Sequence, residues 1–456
     1  MTDITKPSRI DGRTWLLPYM GISSRIAAAC LRHYKIEAIV LPTNTREGYE
    51  LARRHIHTEV CHPLKGVVGD LLGFLEQETQ RHGREAVTSR YVFILPTTDG
   101  PCRFGKYRET VRFFLDDEGY ADLPIAGPTT KTDYLDILSG KYTAGDQMKI
   151  QKLLLRGLIA SDLLDDITLR YRPYCPKDQV EQLKELRLAE LEQCLMRGCT
   201  VKELAAWGQE TVRQFGRFQT SERFPLVLYS GEIYMRMHDP YTNNVIEKLE
   251  ENRLEAVRCS MIEWFDYINC TNLLQTRRRI ATALKTFDWR DVFGGIAAWT
   301  KLTVKYAYIR HIRKIMSEPF HDILNGRHSL PPMMTLLKTV ENAGEFHSSV
   351  SGESILGIGM VYVLLHGISG RHGRGISGIF HVGPFTCMHE GVVTAKTEGM
   401  IRRWRKQHPD IVFPVIDAYF GDSPNPNLDA EIAIFREQCY QKQHLAAQRP
   451  EVASVG

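Results

Sequence analysis

A chain of 456 residues has room for two or three domains with substantial hydrophobic cores. Its 43% hydrophobic and 25% charged residues are those of an ordinary soluble globular protein. The net charge of +4 is mild, and the basic runs Arg277-Arg278-Arg279 and Arg402-Arg403-Trp404-Arg405-Lys406 sit in helical contexts as solvated faces, so nothing here demands nucleic acid.

Met1 to Arg13 is polar and has no apolar signal core, and the longest uncharged apolar run, Ser354 to Ile368, is too short and glycine-rich to span a bilayer. The expected location is therefore cytoplasmic, without a membrane partner. Ten cysteines in that setting are reduced, which makes them core residues, catalytic thiols or metal ligands.

In chain order, Thr14 to Pro18 reads as a strand, Arg25 to Tyr34 as a helix and Ile36 to Pro42 as a second strand. This βαβ opening implies a parallel sheet with right-handed crossovers. Val60-Cys61-His62-Pro63 opens a helix whose Leu64, Val67, Val68, Leu71, Leu72 and Leu75 recur at helical spacing, with Pro63 suited to the first turn. Arg90 to Pro96 is a buried strand running into Cys102, and a helix carrying Tyr107, Val111, Phe114 and Leu115 follows. The first α/β domain is assigned to residues 1–130 and holds Cys61 and Cys102. Residues 131–220 are helical and charged, without strand signals.

A second α/β domain spans 221–445. Phe224 to Tyr229, Leu254 to Cys259, Ile376 to Phe385 and Ile411 to Tyr419 are its strands, and a helical insertion occupies about 264–345. Ser354 to Gly367 and Asn427 to Gln438 are helices, and 446–456 reads as a tail. The expected fold is α/β: two parallel-sheet, flavodoxin- or Rossmann-like domains with helical insertions. Gly373-Arg374-Gly375-Ile376-Ser377-Gly378 fits the letters of a dinucleotide fingerprint, but it precedes a strand where the working motif follows one.

In the second domain, Cys387 stands after a strand and just ahead of a helix, where backbone N–H groups favour a thiolate. Cys61 and Cys102 share this context, each beside proline or glycine. A lone cysteine of this kind is a buried structural thiol. Three helix N-termini brought to one place would instead favour an anion such as a thiolate-ligated iron–sulfur cluster. His62 and His389, next to these thiols, leave open a zinc site of mixed ligands or a supporting role beside cluster sulfurs. Arg103 is placed to offset cluster charge or simply to occupy an exposed first helical turn, and Glu232 is a candidate polar group for the cleft or a helix-capping or packing carboxylate. Cys30, Cys175, Cys194, Cys199, Cys259, Cys270 and Cys439 lack this context and are assigned to packing. No Cys-x-x-Cys occurs, which argues against a zinc ribbon, a thioredoxin site and a ferredoxin-type cluster.

Four stretches carry a resemblance: Cys61-His62-Pro63-Leu64-Lys65 with Gly69-Asp70-Leu71-Leu72; Gly100-Pro101-Cys102-Arg103-Phe104-Gly105-Lys106-Tyr107; Gly231-Glu232-Ile233-Tyr234 with Asp239-Pro240 and Asn243; and Val382-Gly383-Pro384-Phe385-Thr386-Cys387-Met388-His389-Glu390. In this order they resemble the iron–sulfur proteins of the 2-hydroxyacyl-CoA dehydratase and benzoyl-CoA reductase superfamily, closest to the modules associated with CoA-enzyme activases. The resemblance spans roughly residues 14 to 420, outside the helical stretches between motifs. His389 departs from the proline usual at its place, and Asp99 from a small residue or cysteine.

The resemblance implies a 4Fe-4S cluster with Cys61, Cys102 and Cys387 as the matching ligands. It implies ATP-driven electron transfer at low potential, as a component of a dehydratase or reductase system acting on a substrate such as a CoA thioester. The electron donor would be a separate ATPase of the actin-like fold carrying its own 4Fe-4S cluster, and the assembly a homo- or heterodimer. A double-cubane reductase of small molecules, or a non-catalytic relay or scaffold for an activase, are the alternatives it leaves.

Overall fold

The computed structural model describes residues 10–448 apart from 44–45, 58, 99, 130–137, 139–140, 219, 325–326, 328–329 and 369–374. The first α/β unit runs β1 (Thr14–Leu17), α1 (Ile22–His33), β2 (Ala38–Val40), α2 (Arg46–His55), α3 (His62–His82), α4 (Arg84–Arg90), β3 (Tyr91–Ile94), α5 (Tyr107–Asp117) and β4 (Ile125–Ala126). Three helices follow: α6 (Ala144–Tyr171), α7 (Lys177–Met196) and α8 (Val201–Phe215). The second unit is β5 (Leu226–Gly231), α9 (Ile233–Met237), α10 (Val245–Glu251), β6 (Glu255–Arg258), α11 (Met261–Lys285), α12 (Trp289–Ser317), α13 (Met333–Asn342), α14 (Ser354–Leu365), β7 (Ile376–Pro384), α15 (Met388–Gln407), β8 (Val415–Phe420) and α16 (Leu428–Gln448).

Both sheets are parallel throughout, with orders β2-β1-β3-β4 and β6-β5-β7-β8. The two units therefore share one strand order, with the first strand flanked by the second and the third. The order reverses between β1 and β3 and again between β5 and β7, the places where open α/β sheets leave a crevice at their carboxyl ends. The parallel-sheet expectation holds in both units. Gly373 and Arg374 of the fingerprint letters lie outside the described residues, as does Asp99, and Ile376 to Gly378 are already in β7.

Several boundaries differ from the sequence reading. An additional helix, α2, separates β2 from the Cys61 turn, so Cys61 does not follow its strand directly. Charged residues fill that stretch, which masked its amphipathic period. The last strand begins at Val415, four residues later than Ile411. The closing helix runs through Gln448, so residues 446–448 of the expected tail are helical.

One hydrophobic core is common to both units. It joins Leu16 and Phe93 of the first sheet and Leu64 to Leu75 of α3 with Val227, Tyr229 and Phe380 of the second. A polar tie crosses the same boundary. Lys65 of α3 is fully buried and bonds Asp422 beyond β8, and Tyr49 Oη donates to the same Asp422 Oδ1 at 2.8 Å. Among the described residues, no helix is long and apolar enough to cross a membrane.

Candidate metal centre

Each of the three candidate ligands occupies the residue immediately before a helical turn. Cys61 precedes α3, Cys102 precedes the 3-10 turn Arg103–Lys106 that leads into α5, and Cys387 precedes α15. The first amides of a helix have no intrahelical acceptor, so these ends attract negative charge. The Phe104 amide faces the Cys102 sulfur and the Glu390 amide faces that of Cys387, both favouring thiolate without closing a capping hydrogen bond. The buried Tyr107 hydroxyl serves Cys61 in the same way.

The three turns are laced together by residues flanking the cysteines. Arg103 Nη1 donates to the Glu59 carbonyl at 2.9 Å and to Thr386 Oγ1 at 3.2 Å. Thr386 Oγ1 in turn donates to the Glu59 carbonyl at 3.1 Å. Thr386 has φ 68°, a left-handed conformation that costs a non-glycine residue about 1–2 kcal/mol. Its hydroxyl bonds hold that turn in place. The Gly100 backbone also approaches the second unit, where a Cβ would stand 2.9 Å from Ser351 Cβ.

Electrostatics report the same convergence. Burial pushes Cys61 up to about 12, with the charges of Glu232 and Cys102 adding to the rise. Burial lifts Cys102 to about 11, helped by Glu353 and Glu232. Cys387 is raised by burial and then by Glu390, Glu232 and Cys61. Glu232 thus acts on all three thiols. Without a metal the site holds neutral thiols, and metal binding would release their protons.

Glu232 follows β5 directly. Gly231 has φ 126°, and a Cβ there would lie 1.8 Å from the Val382 carbonyl, so only glycine lets β5 end against β7 and turn into α9. Burial raises the Glu232 carboxyl to about 7, against the opposing amides of Met235 and Tyr234. Burial, then Glu232, carries Glu353 well above the carboxylate range. Glu390 is bonded to His381 Nε2, and His381 Nδ1 pairs with Ser230 Oγ at 3.0 Å. Burial opposes the His381 charge, but adjoining Glu390 prevails and raises it. Arg236 donates to the Gly231 carbonyl at 3.1 Å and closes this group of acids.

Of the four supporting residues expected from sequence, Glu232 and Arg103 stand at the site. His62 points elsewhere: its ring packs on Tyr49 and Tyr241, and its Nδ1 is 4.0 Å from Asp422 Oδ1. His389 bonds Ser354 Oγ through Nδ1 at 2.9 Å, while its buried Nε2 finds no partner among the described residues. Tyr107, Glu353 and Glu390 were not singled out. Tyr107 and Glu390 close two of the quoted motifs, a signal that would have found them, whereas nothing in sequence placed Glu353 here. Of the other seven cysteines, six are buried and Cys175 is half-buried; all are free thiols.

Among the described residues, no three His, Cys, Asp or Glu side chains converge closely enough to chelate a single ion. An iron–sulfur cluster makes a different demand, because separate irons take separate thiolates and the ligands stand apart. Three thiols at three helix ends, with Tyr107 as a donor, fit that demand in donor chemistry. No protein-family model matches the chain, and no curated protein matches it significantly.

Proposed function

We propose that the chain is an iron–sulfur protein in which Cys61, Cys102 and Cys387 hold a 4Fe-4S-type cluster, acting in ATP-driven low-potential electron transfer to a substrate. The observation that supports this most is the Glu59–Arg103–Thr386 lacing of three cysteine turns from distant parts of the chain. Such a cluster supplies one-electron chemistry whose potential is set by charge, hydrogen bonds and solvent access. The helix N-termini stabilise the thiolates, Tyr107 orients Cys61, and Arg103 keeps the turns together at the surface. Burial raises both Glu232 and Glu353 and so favours their neutral forms, which limits the negative charge gathered around three thiolates. The ATPase donor of the actin-like fold, the CoA thioester substrate and dimeric assembly are carried over from the family resemblance.

Anaerobic reconstitution with iron and sulfide, followed by EPR after dithionite reduction, tests the proposal. A reducible cluster signal is expected. Stoichiometric zinc, or no metal uptake by folded protein, would overturn it.

A further inference from the structure

A second, larger recess lies away from the cysteines. It is a cleft of about 860 Å³ between α6, α11, α12 and α13, with Met360 of α14 at its inner end. That volume is in the range of small-molecule sites. One wall is apolar, formed by Pro331, Pro332, Met333, Leu336 and Met360. Arg310, Arg313 and Lys314, on one face of α12, also line it.

Four carboxylates also line the cleft, and each has an internal task. Asp162 accepts from the Met261 amide at 3.3 Å and the Ile262 amide at 2.8 Å, closing the start of α11. Glu263 accepts from the Ser260 amide at 3.1 Å, Asp266 bonds Arg313 at 2.8 Å, and Asp166 is likewise partnered. Burial raises both Asp162 and Asp266, so their negative charge is muted. Arg310 and Lys314 form no ion pair among the described residues, and Arg310 lies over the Tyr306 ring at 5.8 Å from its centroid. They stand one helical turn apart and line the same cleft as the apolar residues. Two cations without a carboxylate partner in a cleft that also has apolar lining suit a ligand with an anionic head and a hydrocarbon body.

Met360 connects this cleft to the rest of the molecule. It also lines the small cavity bounded by Gly231, Arg236, Glu353, His381 and Glu390, the acids beside the thiols. Its sulfur lies 3.6 Å from Cys259 Sγ, which holds it as a partition between the two spaces.

We propose that this cleft binds a small amphipathic organic anion, its head on Arg310 and Lys314 and its apolar body along Met333 and Leu336 toward Met360. The proposal does not depend on the metal centre and is tested on metal-free protein. The probe is octanoate, with octanamide as its uncharged counterpart, titrated by calorimetry. Saturable octanoate binding is expected, with octanamide weaker by about tenfold, the loss of one charged hydrogen-bonding pair. Arg310→Gln/Lys314→Gln, both exposed positions, should reduce octanoate affinity by about tenfold or more and leave octanamide unchanged. Thr335→Trp, an exposed position on the rim, should block both ligands. Thermal melts show that each variant is folded. Absence of saturable octanoate binding, equal affinity for acid and amide, or indifference to either variant would overturn the proposal.

Discussion

Arg103 and Thr386, separated by 283 positions in the chain, meet through a 3.2 Å hydrogen bond from guanidinium to hydroxyl. Arg103 is the residue after Cys102 and Thr386 the residue before Cys387, so the bond fixes one cysteine turn against the other. The Glu59 carbonyl accepts from both side chains and adds the Cys61 turn. Tertiary contact between the two α/β units thereby becomes local geometry at the proposed ligands.

Arg103→Ala removes two of these bonds from an exposed position. Global stability should fall by only about 0.5–1.5 kcal/mol in denaturant titration. Iron should nevertheless leave faster when the reconstituted protein is challenged with a chelator, and Arg103→Lys should restore part of the retention. Unchanged iron loss in Arg103→Ala would remove the lacing from the account.

Gly231 makes the turn from β5 to Glu232 possible. Gly231→Ala places a Cβ against the Val382 carbonyl at a left-handed φ, and should destabilise the chain by about 2–4 kcal/mol. Thermal unfolding checks this. A melting temperature equal to that of the natural chain would mean that β5 and β7 separate more easily than the fold implies.

The Lys65–Asp422 pair ties α3 to the end of the second sheet in a buried setting. Lys65→Met leaves Asp422 with Tyr49 and His62 as its remaining neighbours among the described residues, and should cost about 3–5 kcal/mol. The double variant Lys65→Met/Asp422→Leu should recover much of that loss, because it leaves no unpaired buried charge. Urea unfolding of the two variants distinguishes a structural tie from an incidental contact.

Asp162 predicts a pH dependence. Burial raises its carboxyl to about 7 in the folded chain, against opposing bonds from the Ile262 and Met261 amides, with Asp166 and Arg313 as its charged neighbours. Its folded pKa lies above the unfolded value. Its stabilising contribution is therefore complete below about pH 4 and lost as pH rises from there through about 7, an effect of at most about 4 kcal/mol. Asp162→Asn should flatten this part of the stability profile between about pH 4 and pH 7. An unaltered slope would assign the dependence to other groups.

The alternating strand and helix patterns, with turn residues between them, made the second sheet, three of the four strands of the first and the helical regions readable in sequence; the two-residue β4 (Ile125–Ala126) is too short to give a period. Cys61, Cys102 and Cys387 were legible for the same reason: each follows a break in the pattern and precedes a helical period, and each proved to stand at a helix start. What escaped was set by tertiary contact. Helix α2 is amphipathic but carries few apolar residues among its charges, which hides its period. His62 is adjacent to Cys61 in sequence, yet the first turn of α3 sends its ring toward Tyr49 and Tyr241. Glu353 comes from the loop before α14 and acts on Cys102 where the Gly100 and Ser351 segments approach each other.

The most direct measurement is the iron and acid-labile sulfide content per chain after anaerobic purification, for the natural chain and for Cys61→Ala, Cys102→Ala and Cys387→Ala. Roughly four irons per chain are expected in the natural protein, with loss of the cluster in each variant while all three remain folded. Near-zero iron in the natural chain, or iron content indifferent to all three substitutions, would contradict the three-cysteine cluster.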